Sequence, residues 1–175
     1  MSKVKLATIW LDGCSGCHMS LLDLDELILA VAQKADLVYG PLVDAQEFPE
    51  GVDVTLVEGA VSSQEDLARL RTVRARSRIV VALGDCATSG NVPAMRNVVP
   101  VQKILDRVYI KGADVSPVIP SAGVPALLPQ ARPPREFVQI DLHLPGCPPP
   151  PKAILAVLAE LLEGRAPKPL EVKFG

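Results

Sequence analysis

The sequence is poor in aromatic residues and has no excess of positive charge. Only 3% of its 175 residues are Phe, Trp or Tyr, which is too few for a platform on which nucleic-acid bases stack. Its 18 Lys and Arg residues are outnumbered by 20 Asp and Glu residues, which gives a formal net charge of -2. Because nucleic-acid binders use a basic surface to hold phosphates, we expect no nucleic-acid partner.

Long hydrophobic runs are also absent. The N-terminal apolar run from Leu6 to Leu11 ends at Asp12. It is shorter than the hydrophobic region of a secretory signal peptide, which has roughly 7 to 15 residues and is followed by a small-residue cleavage site. No run approaches the roughly 18 apolar residues of a membrane span. We therefore expect a cytoplasmic protein without a membrane span, in a reducing compartment where disulfides are rare.

The four cysteines of the chain therefore need a role other than disulfide formation. A chain of 175 residues with 49% hydrophobic residues is long enough to bury a core as one domain. We expect that domain to cover residues 1–175, with a C-terminal tail over 165–175. The cysteines are Cys14, Cys17, Cys86 and Cys147.

Apolar runs alternate with segments of helical periodicity along the chain. The runs predict strands at 4–10, 37–39, 52–57, 78–83 and 137–144. The periodic segments predict helices at 19–34, 63–75, 92–99, 101–110 and 152–162. Ser62 and Glu65 have the spacing of a capping box at the start of the second helix. Such alternation predicts an α/β fold, a parallel sheet with helices on both faces.

Proline is concentrated in one part of the chain. Eleven of the 17 prolines lie between Pro117 and Pro151, a density that is incompatible with a helix interior or a central strand. We expect a proline-rich loop to precede the last strand.

Each cysteine follows a predicted strand. Cys14 and Cys17 follow the first strand, Cys86 follows the run at 78–83, and Cys147 follows the last strand. The carboxyl ends of parallel strands lie at one edge of a sheet, where ligands bind in a crevice. The four thiols are therefore expected to meet at that edge.

Four thiols in a reducing compartment can hold either a structural zinc ion or an iron–sulfur cluster. Separate loops carry Cys86 and Cys147, and Pro follows Cys147 as in many cluster-binding loops, which favours a cluster. Alternatively, Cys14 and Cys17 form a redox pair, while Cys86 and Cys147 are simple buried thiols. His18, next to the first pair, is a further candidate metal ligand, although orienting the loop or facing a partner fits it better.

Four sequence blocks together resemble the small subunit of [NiFe] hydrogenases. They are Trp-Leu-Asp-Gly-Cys-Ser-Gly-Cys-His-Met-Ser at 10–20, Val-Glu-Gly-Ala at 57–60, Gly-Asp-Cys-Ala at 84–87 and Leu-Pro-Gly-Cys-Pro-Pro at 144–149. The stretch 16–20, followed by Leu-Asp-Glu at 24–26, is most similar to the soluble, bidirectional NAD-reducing members. In the related quinone-reductase subunit the first two cysteines are adjacent, whereas two residues separate Cys14 from Cys17.

The resemblance implies a flavodoxin-like domain in which Cys14, Cys17, Cys86 and Cys147 hold one proximal [4Fe-4S] cluster. It places Glu58 near that cluster and the subunit boundary, and we favour a structural role for this carboxylate. No cysteine follows Cys147, whereas longer relatives carry ligands for further clusters beyond this point, so one cluster is expected.

The resemblance also implies that catalysis lies on partner chains. A large subunit would hold the Ni–Fe centre, and diaphorase subunits with FMN and further clusters would reduce NAD. The alternatives are a zinc-bound structural subunit, the cluster subunit of a quinone-reductase-like complex, and a flavin-binding domain. A flavin domain would need a phosphate loop at 12–17, which lacks the hydroxyl groups expected there.

Overall fold

A five-stranded parallel sheet organises the structure, a computed structural model that describes residues 3–166. The strands of the described residues are β1 (Val4–Trp10), β2 (Ala35–Tyr39), β3 (Val52–Glu58), β4 (Val61–Ser63), β5 (Ser77–Leu83), β6 (Leu127–Arg132) and β7 (Leu142–Leu144). The α-helices are α1 (Gly16–Leu22), α2 (Leu27–Lys34), α3 (Gln64–Arg76), α4 (Gly84–Ser89), α5 (Asn91–Ala94), α6 (Val101–Leu105) and α7 (Pro151–Leu162).

The strand order identifies the type of fold. The central sheet runs β2-β1-β3-β5-β7, and all neighbouring strands in it are parallel. If only these five strands are numbered along the chain, the order is 2-1-3-4-5, which is the flavodoxin-like arrangement. The predicted α/β fold with a parallel sheet is confirmed.

Hydrophobic cores lie on both faces of the sheet. On one face Leu6, Leu56 and Val81 pack with Ile154 and Leu158 of α7. Helices α1 and α2 cover the same face. Strands buried on both faces have continuous apolar runs instead of alternating patterns, which is why β1, β3 and β5 could be recognised in the sequence.

The opposite face is covered mainly by α3. Its side chains Leu70 and Val73 pack with Ile9, Val57 and Val80 from the sheet. The expectation of helices on both faces is thus also confirmed.

The helix predicted over 19–34 is interrupted. Helix α1 ends at Leu22 and α2 begins at Leu27, because Asp25 has a φ of 52°, which no right-handed helix accommodates. Leu24 lies in this turn and is 3% exposed. The apolar spacing that suggested one continuous helix therefore arises partly from a buried turn residue.

The strand predicted over 137–144 is mostly wrong. Within this segment the strand covers only Leu142–Leu144, and a 3-10 helix precedes the segment at Pro134–Glu136. Phe137, Val138 and Ile140 pack on the core next to α3 without forming a strand. These residues are apolar because they cover the sheet, not because they belong to it.

The proline-rich segment contains a strand that the sequence pattern did not reveal. Strand β6 pairs antiparallel with β4 in a separate two-stranded sheet. Pro129 lies within β6, which edge strands tolerate because an edge residue can do without its backbone donor. Residues 113–126 before β6 contain no helix or strand, so the predicted loop is confirmed only for that part.

The remaining helices agree more closely with the helices predicted from the sequence. The segments predicted at 92–99 and 101–110 are helical, but they continue as a 3-10 helix over Met95–Val98 and a π-helix over Asp106–Lys111. The tail predicted over 165–175 lies, apart from its first two residues, outside the described residues. None of the helices described is both long and apolar enough to cross a bilayer.

The capping box of α3 is one residue later than predicted. Ser63 Oγ accepts a hydrogen bond from the Asp66 backbone at 3.1 Å, and Asp66 Oδ2 accepts one from the Ser63 backbone at 2.9 Å. The Ser62 backbone donates to the same carboxylate. Glu65, the predicted partner, forms a surface ion pair with Arg69 instead.

We expect Asp66→Ala to lower the free energy of unfolding by about 1 to 2 kcal/mol, since it leaves the backbone N–H groups of Ser62 and Ser63, just before α3, without their acceptor. The matched change Glu65→Ala should cost about 0.5 kcal/mol or less, because it removes one exposed ion pair. Denaturant unfolding of both variants tests the assignment. Equal losses of stability in the two variants would show that Asp66 is not the capping residue of α3.

Candidate metal centre

The register of the sheet brings four strand ends level with one another. Trp10 of β1 pairs with Glu58 of β3, Glu58 pairs with Leu83 of β5, and Leu83 pairs with Leu144 of β7. The segments that follow these residues therefore begin at the same edge. Three of these segments carry the four cysteines.

All four cysteines are free thiols, and they differ in burial. Cys17 and Cys86 are buried in α1 and α4, whereas Cys14 and Cys147 are exposed on their loops. Negative charge on the other three would act directly on the Cys17 thiol, so the four groups share one electrostatic environment. The cysteines thus lie on segments that begin at one edge of the sheet, and their role as one set of ligands stays a prediction.

Polar contacts tie the cysteine-bearing segments to each other. Asp85 Oδ1 accepts a hydrogen bond from the Gly146 backbone at 2.7 Å, and the Asp85 backbone donates to the Gly146 carbonyl at 2.9 Å. Ser20 Oγ donates to the Pro149 carbonyl at 2.6 Å. Helix α1, the start of α4 and the loop after β7 are thereby fixed as one unit.

Gly84 leaves space beside a buried sulfur. It has a φ of 83°, and a Cβ added to it would lie 2.2 Å from Cys17 Sγ. The Gly146 carbonyl oxygen is close to the same point, at 3.4 Å. Only glycine combines this backbone conformation with so little room, so Gly84 is an integral part of the site.

Hydrogen-bond donors point at the sulfurs. The Gly16 backbone donates to Cys14 Sγ and the Asn91 side-chain amide donates to Cys147 Sγ, both at 3.4 Å. Such contacts favour negative charge on sulfur. The roles of Asn91, Asp85 and Ser20 are not visible in the sequence, because their partners lie 56, 61 and 129 residues away along the chain.

Burial makes ionisation of the two inner thiols costly. Desolvation, aided by the nearby charge of Glu58, raises the pKa of Cys17 to about 12. Desolvation, aided by negative charge at Cys14, raises the pKa of Cys86 to about 11. Thiolates at these positions therefore need positive charge beside them, and a bound metal centre is the usual source of that charge.

Glu58 connects the end of β3 to the first cysteine segment. Its side chain is 1% exposed, and its Oε1 accepts a hydrogen bond from the Ser15 backbone at 2.9 Å. His18 Nδ1 donates to Oε2 of the same carboxylate, also at 2.9 Å. In the part of the chain that the structure describes, His18 Nε2 is buried without a partner. The pair holds the segment from Cys14 to His18 against the sheet.

Four thiols can hold either one zinc ion or an iron–sulfur cluster, and the two centres need different spacings of the sulfurs. A tetrahedral zinc site needs four donors at about 2.0 to 2.3 Å from one point. Within residues 3–166, no group of three His, Cys, Asp or Glu side chains is arranged to hold one metal ion. A cubane takes one thiolate on each of four irons, and its ligands are correspondingly farther apart.

Comparison with known proteins identifies the family. Residues 14–161 match the family described as NADH ubiquinone oxidoreductase, 20 kDa subunit. The chain belongs to this 20 kDa subunit family. The match spans all four cysteines, so the sequence blocks that carry them lie within the part that defines the family.

Relatives of the chain are hydrogenase subunits. A vhu subunit of the F420-non-reducing hydrogenase of Methanocaldococcus jannaschii is 40% identical, over 94% of this chain and 58% of its own length. The delta subunit of the NAD-reducing hydrogenase HoxS of Cupriavidus necator is 39% identical, over 93% of this chain and 80% of its own length. The chain thus spans little more than half of the first relative.

Solved structures of hydrogenases also resemble this chain. A chain from the crystal structure of NAD+-reducing [NiFe]-hydrogenase in the H2-reduced state superposes with a TM-score of 0.94 at 37% identity, covering 99% of this chain and 100% of that chain. A Dm. baculatum [NiFeSe]-hydrogenase chain, at 20% identity and a TM-score of 0.62, shares the fold. The predicted resemblance to hydrogenase small subunits, including the NAD-reducing type, is confirmed.

Proposed function

We propose that the chain is the electron-transfer small subunit of a cytoplasmic NAD-reducing [NiFe] hydrogenase. In this role Cys14, Cys17, Cys86 and Cys147 hold one [4Fe-4S] cluster. The observation that carries the proposal is the meeting of four free thiols at one edge of the sheet. The relation to an NAD-reducing hydrogenase subunit supports it.

The cluster, when bound, supplies reversible one-electron transfer. The residues of this chain position it and limit the access of water. Cys17 and Cys86 are only 6% and 8% exposed, and contacts from Asp85 and Ser20 fix the loops that carry the ligands. Glu58 and His18 hold the first loop in place, which is the structural role we propose for both.

Hydrogen chemistry belongs to a partner in this proposal. One cubane uses all four cysteines of the chain and leaves no thiol for a Ni–Fe centre. A large subunit would hold that centre, and flavin-containing diaphorase subunits with further clusters would pass electrons to NAD.

Exposed apolar side chains support contact with a partner near the cluster. Trp10 is 45% exposed at the end of β1, Met19 and Leu22 of α1 are 57% and 42% exposed, and Met95 is 70% exposed. The first three lie within a few residues of Cys14 or Cys17 in the sequence, and Met95 follows the short helix α5. Exposed large apolar side chains are common on a surface that another chain covers.

One alternative has its own support. The family takes its name from a quinone reductase subunit, so a cluster subunit that passes electrons to quinone is a second candidate. The two residues between Cys14 and Cys17 argue against it, as does the relation to NAD-reducing hydrogenase. Quinone reduction without hydrogen-dependent NAD reduction would favour this candidate.

Metal analysis tests the proposal. We expect the chain, purified without oxygen together with its large subunit, to contain about four labile sulfides per copy, with about four irons for the cluster in addition to the iron of the Ni–Fe centre. Hydrogen-dependent NAD reduction should follow when the diaphorase subunits are present. A colourless preparation with one zinc ion per chain and no labile sulfide would overturn the proposal.

A further inference from the structure

A short turn between α4 and α5 lies against two of the four sulfurs. Asn91 Nδ2 donates to Cys147 Sγ at 3.4 Å. The backbone N–H of the next residue, Val92, is near enough to the Cys86 thiol to oppose the rise in its pKa. Gly90 and Asn91 have φ values of 92° and 31°, a left-handed turn that places the Asn91 amide beside Cys147.

The contact from Asn91 differs in kind from the other contacts to sulfur. Gly16 uses its backbone N–H group, which most substitutions would leave in place. Asn91 uses its side chain, so the donor to Cys147 depends on the identity of that residue. Cys147 is exposed in this chain. Burial therefore changes the electrostatic environment of its sulfur less than it does for Cys17 and Cys86.

We propose that Asn91 sets the reduction potential of the cluster through its hydrogen bond to the Cys147 sulfur. The inference rests on the proposed cluster. Reduction adds negative charge that is shared with the cysteine sulfurs, and an N–H donor stabilises the more negative form. The Asn91 amide therefore raises the reduction potential, which makes the cluster a better electron acceptor.

Two variants separate the donor from the backbone conformation. Asn91→Gly removes the amide, and glycine adopts a positive φ without strain. Asn91→Asp keeps the shape of the side chain, and aspartate, like asparagine, can adopt a positive φ. It replaces the N–H donor by a carboxylate oxygen. The matched control is Asn97→Asp, since the Asn97 amide bonds to the Ala131 backbone and not to a sulfur.

The experiment is a redox titration of this chain in complex with its large subunit, without the diaphorase subunits and their clusters, monitored by electron paramagnetic resonance under anaerobic conditions. We expect Asn91→Gly to lower the equilibrium constant for cluster reduction by about threefold to tenfold, a downward shift of about 30 to 60 mV for one electron. Asn91→Asp should shift the potential further in the same direction. Asn97→Asp should leave the potential at its wild-type value.

Iron and labile sulfide are measured on the same complex of this chain with its large subunit, in which all labile sulfide is expected on this chain, so that the two hypotheses fail separately. An unchanged potential in cluster-bearing Asn91 variants would overturn the tuning role and leave the proposed function intact. Loss of the cluster from both Asn91 variants, but not from Asn97→Asp, would also overturn it, in favour of a structural role. A wild-type complex without a cluster on this chain would overturn the proposed function itself.

Discussion

Replacement of Gly84 by alanine is expected to abolish cluster binding. The new Cβ would lie 2.2 Å from Cys17 Sγ, far inside van der Waals contact. Cys17 cannot move aside easily, because it is 6% exposed and packs in the core with α7. Alanine at a φ of 83° costs roughly 1 to 2 kcal/mol in addition. The clash therefore falls on a ligand sulfur and not on a flexible surface group.

Gly123→Ala is the matched control. Gly123 also has a positive φ, 74°, but a Cβ added there has no atom within 4 Å. The control includes the same backbone penalty without the clash. Iron, labile sulfide and hydrogen-dependent NAD reduction are measured for both variants in the assembled complex. Full cluster content in Gly84→Ala would show that the Cys17 sulfur does not have the position that the structure gives it.

The sheet could be predicted from the sequence because most of its strands are buried on both faces. In a chain whose apolar runs alternate with helical segments, continuous runs such as those of β3 and β5 indicate the buried strands of a parallel sheet. The segment after Pro134 shows the limit of the same signal. Phe137 and Ile140 are apolar because they pack on the sheet next to α3. Asp141 then bonds to the Val80 backbone through its side chain and its own N–H.

The small β4–β6 sheet could not be predicted, because tertiary pairing creates it. Strand β4 has only three residues, and β6 contains a proline. Neither has a periodic pattern long enough to be recognised. Their pairing places the proline-rich segment beside the start of α3, where the Gln64 backbone donates to the Ala126 carbonyl.

The site was predictable only in part, for a similar reason. The four cysteines follow strand ends, and the register of a parallel sheet brings such ends together. Asp85 and Asn91 are ordinary polar residues in the sequence, and their importance comes from partners near residue 146. Glu58 was noticed through its sequence block, but its two hydrogen bonds, to Ser15 and His18, are visible only in the structure.

Replacement of Cys86 by serine is expected to abolish hydrogen-dependent NAD reduction while the complex still assembles. Serine has nearly the same size, so the start of α4 should keep its fold and its contact with Gly146. Its hydroxyl is a poor substitute for a thiolate on iron, since cluster irons are held by cysteine sulfur. Copurification of the partner subunits, iron and sulfide content, and activity are measured on one preparation. Ser89→Ala, at the end of the same helix, should keep all three at wild-type values.

The same variant distinguishes an electron relay from a merely structural cluster. Exchange of hydrogen gas with deuterium from solvent needs cleavage and re-formation of the H–H bond at the partner's metal centre, but it needs no net electron transfer. If Cys86 only serves the relay, Cys86→Ser should lose NAD reduction and keep this exchange. Loss of both activities in an assembled complex would mean that the cluster also supports the structure of the catalytic partner. Full NAD reduction in the variant would show that Cys86 is not a cluster ligand, and the proposed four-thiol site would then be wrong.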